Sequence, residues 1–179
     1  MEIFSQATVI QAAIDIENMD STQKVRLVDD VFIAQPNLLA SVLMLPRLGV
    51  GIAQVEVLLH ILLVCHQAMK RSGFVWPSIS DDLQEKCLER LTARLQATSE
   101  LLTDLAEEAT TKFVDEHPER HLLAFVYGHL RDHDLVSVRT EAEKFLMLTA
   151  LNLVECLSSS RPHVDAAAAH LPTSSKSPP

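Results

Sequence analysis

From Gly51 to Arg71 the chain reads GIAQVEVLLHILLVCHQAMKR. Its aliphatic residues fall nearly all round a helical wheel rather than along one stripe, the mark of a helix enclosed by others. A chain that wraps such a helix is a bundle. Both flanks fit this reading. RLGVG before it is a two-glycine turn, and SGFVWPSIS after it is a loop, with Gly73 placed to close the helix and Pro77 beyond.

Toward the N-terminus, Ile3, Ala7, Ile10 and Ile14 recur at helical spacing up to about Glu17. NMDST breaks the pattern, and Ser21 or Thr22 is expected to cap a second helix with Val25, Val28 and Phe32 on its apolar side. Pro36 restarts the chain as a short helix, NLLASVLML, that ends before Pro46. Toward the C-terminus, Ser80 caps a helix expected from Asp81 to about Glu116, roughly 54 Å long. Leu88, Leu91, Leu95, Thr98, Leu102, Leu105 and Ala109 follow one another in alternating steps of three and four, the spacing of a coiled coil or a long bundle helix. Pro118 closes that helix and opens another to about Arg131. Ser137 is expected to cap the last, in which FLMLTALNLVECL is a second central run.

Composition agrees with helices. Hydrophobic residues make up 47% but aromatics only 4%, and there are only 4 glycines, too few for the turns of a β-rich fold. The expectation is an all-α, multi-helix bundle of six or seven helices over 1–157, with one long acidic helix. A Ser-, Pro- and Ala-rich tail over 158–179 has too little apolar surface to offset its ordering entropy and reads as disordered.

Charge and cysteine usage limit the function classes. The formal net charge is -9, and eleven acids face five bases between Asp81 and Arg120. Such a surface repels phosphate backbones, so no nucleic-acid partner is expected. Cys65, Cys87 and Cys156 are widely spaced, odd in number and without metal-binding spacing, which fits reduced thiols and a cytoplasmic setting. The N-terminal MEIFSQATVI lacks the basic and apolar regions of a signal peptide. Leu48 to Met69 is long enough to span a bilayer, but Gln54, Glu56, His60, His66 and Gln67 lie within it, so a core helix is preferred over membrane insertion.

Four of the eight histidines fall between His117 and Asp134, as His117/His121 and His129/His133, each pair four residues apart. On one helix the two pairs lie roughly 18 Å apart along the axis, so they cannot share one ion. Each offers two imidazoles where zinc needs three or four protein ligands. Glu56 and His60, four apart in the most apolar helix, form a third candidate for metal or proton-transfer chemistry. The ordinary reading, histidines on a solvated face and a hydrogen-bonded Glu/His pair, is favoured for all of them. No nucleophile elbow, phosphate loop or dinucleotide fingerprint is present, and no cofactor is expected.

Two functions follow as expectations. The first is a helical protein–protein interaction module (adaptor, chaperone-like or regulatory) whose partner is another protein or a second copy of the chain. Leu88, Leu91, Leu95, Leu102 and Leu105 are then the candidate interface. The alternative is a metal- or small-ligand-binding helical enzyme using Glu56/His60 or the His117–His133 stretch.

Overall fold

A computed structural model describes residues 2–99, 111–160 and 162–163. Within them the chain is an all-α bundle. The helices are α1 (Gln6–Asn18), α2 (Ser21–Ala34), α3 (Pro36–Leu43), a 3₁₀ turn (Leu45–Leu48), α4 (Ile52–Arg71), α5 (Asp81–Ser99), α6 (Arg120–Asp132) and α7 (Glu141–Ser159). Residues 111–115 are also helical. The middle of the expected long helix, 100–110, lies outside the described residues, as does most of the expected tail.

The two apolar helices form the centre. α4 packs against α1, α2, α3, α6 and α7, and Leu58, Ile61, Leu62, Val64, Cys65 and Ala68 are buried along it. α7 is buried from Leu146 to Leu157 on nearly every side and takes α5 along its flank. The enclosure of α4 fails at its first turn, where Ile52, Ala53 and Glu56 are exposed. Arg71 grips Asp15 of α1 with two bonds, at 2.6 and 2.8 Å, and Gln67 adds a third at 2.7 Å. The Arg71 and Gln67 bonds hold the Asp15 carboxyl well below the usual carboxylate range.

Several helix starts differ from the sequence reading, each for a local reason. α1 begins at Gln6, because Ser5 caps it by accepting from the Thr8 amide at 3.2 Å. Asp20 rather than Ser21 or Thr22 caps α2, in a reciprocal box with Gln23. α6 starts at Arg120, since His117, Pro118 and Glu119 are spent on a turn. α7 starts at Glu141: Thr140 and Glu143 form a second capping box, and such a pair outcompetes a lone Ser137. On α2 the packed side is Leu27 and Val31, and Val25 and Phe32 face outward. Gly73 closes α4 as expected, with φ +74°, and Gly49 ends the 3₁₀ turn at φ +87°, where a side chain would be strained.

The 72–80 loop gathers distant segments. Gln35 is buried and binds it twice, donating to the Pro77 carbonyl and accepting from the Ile79 amide, both at 2.9 Å. Asn37 donates to the Ile79 carbonyl at 3.0 Å. Trp76 stacks on Phe4, with ring centroids 5.2 Å apart. Val75 exchanges both backbone hydrogen bonds with His163, at 2.8 and 3.1 Å. Ser160 is buried as well, so two residues within the expected tail, Ser160 and His163, are held against the bundle.

Candidate functional site

The sequence pairs His60 with Glu56. The structure separates them. Glu56 is exposed, whereas His60 is half-buried and turns toward α6. There its ring stacks on His129, with centroids 4.6 Å apart and planes 19° from parallel. His129 also stacks on Phe125 at 5.8 Å and meets His133 edge-on at 4.8 Å. Three imidazoles therefore touch at the α4–α6 seam. Phe125 and His129 share one face of α6 at a spacing of four, and His133, the residue that caps the end of the helix, continues that row.

Burial governs their protonation. Desolvation lowers the His60 pKa, with Lys24 and His133 acting in the same direction. Desolvation, then the neighbouring His60 and His133, lowers His129 to about 4, while Asp132 and Glu17 pull the other way. Both rings are therefore neutral near pH 7. Neutral imidazoles are the form a metal requires, but an imidazole lone pair lies in the ring plane. Rings stacked face to face aim those pairs side by side rather than at one point. Among the described residues no group of three or more His, Cys, Asp or Glu side chains is arranged to hold a metal ion.

The other two histidines of the stretch serve different contacts. His117 is buried in the turn before α6. Its Nδ1 accepts from the Glu119 amide at 3.0 Å, so the ring proton belongs on Nε2, which lies 3.6 Å from Glu155 Oε1. Arg94 donates to the same carboxylate at 3.1 Å and lies 4.9 Å over the Phe113 ring, on which His117 rests edge-on. Burial raises the Glu155 pKa, but the His117 hydrogen bond and the Arg94 charge outweigh it and hold the carboxyl below its ordinary value. This group ties α5, α7 and the 111–119 segment together. His121 instead meets Glu2 at 3.2 Å, beside Arg120 at 3.7 Å.

Glu119 was not singled out by sequence. It is 1% exposed, and its two oxygens accept from the Ile3 and Phe4 amides at 2.9 and 3.0 Å. Burial raises its pKa despite those two bonds. Glu155 and Asn152 were also missed, though each is a polar residue inside an otherwise apolar run, a signal the sequence does carry. The Cys65 and Cys156 thiols are poor nucleophiles. Burial pushes Cys65 up to about 12 and also raises Cys156, which lies against Cys87.

The leucine seam divides. Leu91 is fully buried, Leu95 packs partly against the core and Leu88 is exposed, while Leu102 and Leu105 lie outside the described residues. Other large apolar side chains stand open: Phe32, Ile33, Leu43, Met44, Leu48 and Ile52 are all exposed, Ile33 to 79%, on α2, the end of α3, the 3₁₀ turn and the start of α4, elements that pack against one another. Between Phe32 and Val55 the only charged residue is Arg47.

α4 is long and apolar enough to cross a membrane by length and composition, and 56% of the relevant window is buried within the bundle. No protein-family model, curated protein or solved structure matches this chain.

Proposed function

We propose that this chain is a helical protein–protein interaction module of adaptor, chaperone-like or regulatory type, acting in the cytoplasm. The observation that carries the reading is the exposure of Phe32, Ile33, Leu43, Met44, Leu48 and Ile52 on segments that adjoin one another. Single exposed apolar residues are normal on any surface. Six large ones on adjoining elements, in a stretch with one charge, are the composition of a contact surface. The three unpaired, buried thiols support a reducing compartment.

A second copy of the chain is the first partner to test, because a nearly charge-free face lets two acidic molecules meet with little repulsion. Light scattering should give about twice the 19.9 kDa chain mass. The variant Phe32→Asp, Ile33→Asp should be a folded monomer, since both side chains already face water in the single chain. A wild-type protein that stays monomeric at high concentration sinks the self-association reading. An unchanged dimer in the double variant removes this face from it.

A further inference from the structure

The stacked histidines at the α4–α6 seam suggest a property that the interaction reading does not use. We propose that the stacked His60 and His129, with His133 edge-on beside them, form a proton-operated latch, closed while the two stacked rings are neutral and released from its α6 side when they are protonated.

The geometry supplies both states. Neutral imidazoles at 4.6 and 4.8 Å gain dispersion and ring-edge contact, with Phe125 extending the stack at 5.8 Å. Two imidazolium rings at those distances repel. The charged groups facing the stack decide how far this is relieved. Lys24 of α2 adds to the repulsion at His60, and Glu17 of α1 and Asp132 of α6 oppose it at His129. On α7, Glu155 is engaged by His117 and Arg94 and is not available as a counter-ion. The C-terminal end of α6 also favours a cation, but only within its last turn. Desolvation together with the neighbouring rings outweighs these aids, and both His60 and His129 lie below their ordinary value of 6.5. Protons have a way in, because His133 is exposed at the edge of the stack.

When α6 lifts, His60 and His129 gain water and regain ordinary basicity, so acid favours the lifted form. Below the ordinary value of 6.5, where a released ring is charged, each proton taken up on release raises the open population about tenfold per pH unit while the closed ring stays neutral. The element released is α6, which packs on α1, α4 and α7. α4 and α7 bury far more apolar surface and keep their place.

Amide hydrogen exchange on the full chain, expressed as protection factors, tests this. From about pH 7 to about pH 5, protection over the last two turns of α6 should fall by about tenfold or more, and should lie well below that of the centres of α4 and α7 at every pH, because those exchange only when the whole bundle opens. The double variant His60→Phe, His129→Phe keeps rings in the stack but accepts no proton there, and its α6 protection should be level across the same range. Level protection in the wild type overturns the proposal, and so does an equal loss in the double variant. Should that variant fail to fold, ring-proton NMR of the wild type decides. His60 and His129 must titrate below 6.5 together with the α6 amide shifts, and titration of either at or above 6.5 refutes the latch.

Discussion

Both carboxylate oxygens of Glu119 are in use, each holding one backbone amide of the N-terminal segment. Glutamine has one acceptor oxygen and would turn its NH2 toward the second amide. Glu119→Gln is therefore not conservative here. It should cost about 1–3 kcal/mol, as should Glu119→Ala, because a buried donor loses its acceptor. Urea unfolding measures this, and a Glu119→Gln variant as stable as wild type would show that Ile3 and Phe4 are not held as described. In sequence, Glu119 is one acid among eleven between Asp81 and Arg120, and nothing local sets it apart. Its role comes from a partner 116 residues away. The histidines were legible in the same limited way. Spacing put His129 and His133 side by side, where their rings meet edge-on, but the ring that joins them comes from His60 on another helix, and Glu56, which shares His60's helix, faces water.

Helices are where the sequence reading succeeded, and the reason is periodicity. α4 and α7 carry apolar residues nearly all round, a pattern that only an enclosed helix satisfies, and both prove central. Amphipathic α2 was harder. Apolar residues occur on two of its sides, and periodicity cannot tell a face that meets the core from one left open. Leu27 and Val31 pack, while Phe32 and Ile33 do not. The α5 seam poses the same problem, and its two described leucines at the extremes allow a sharp test. Leu91→Ala empties a fully buried site and should cost about 2–5 kcal/mol. Leu88→Ala, at a position 37% exposed, should stay within about 0.5 kcal/mol. Equal costs in thermal or urea denaturation would mean that α5 is rotated from the orientation described. Gln35 tests the joint between elements. Gln35→Ala leaves the Ile79 amide without an acceptor and should cost about 1–3 kcal/mol, with faster hydrogen exchange confined to the 72–80 loop and its neighbours.

Over the whole molecule, acidity sets stability through groups whose shifts differ in sign. The pKa values of His60, His66 and His129 are lowered on folding, so the unfolded chain binds their protons more readily. Their effect is absent well above 6.5 and destabilises as pH falls below it, down to about 4 for His129. Glu119 acts oppositely. Its raised pKa makes the folded state the better proton binder just above 4.5, which offsets part of the loss. Asp15 joins the histidines only below 3.8, where protonation begins to cost the Arg71 contact. The histidines' ordinary value of 6.5 lies inside the window between pH 7 and pH 5, while that of Glu119, 4.5, lies below it, so the melting temperature should drop between about pH 7 and about pH 5. His66→Phe should reduce the drop, since its Nδ1 has no hydrogen-bond partner to lose. A melting temperature that is level or rising toward acid would contradict this. The 72–80 loop has a consequence in time rather than in energy. It receives Phe4 from one end of the chain and His163 from the other, and Ile3 and Phe4 are also tied to Glu119. At ~5–20 residues per second of synthesis, the amides of Ile3 and Phe4 wait ~6–23 s for the carboxylate 116 residues later to be made. On the ribosome, α1 to α4 can assemble long before the segment that opens the chain is fastened, and the order of closure runs opposite to the order of birth.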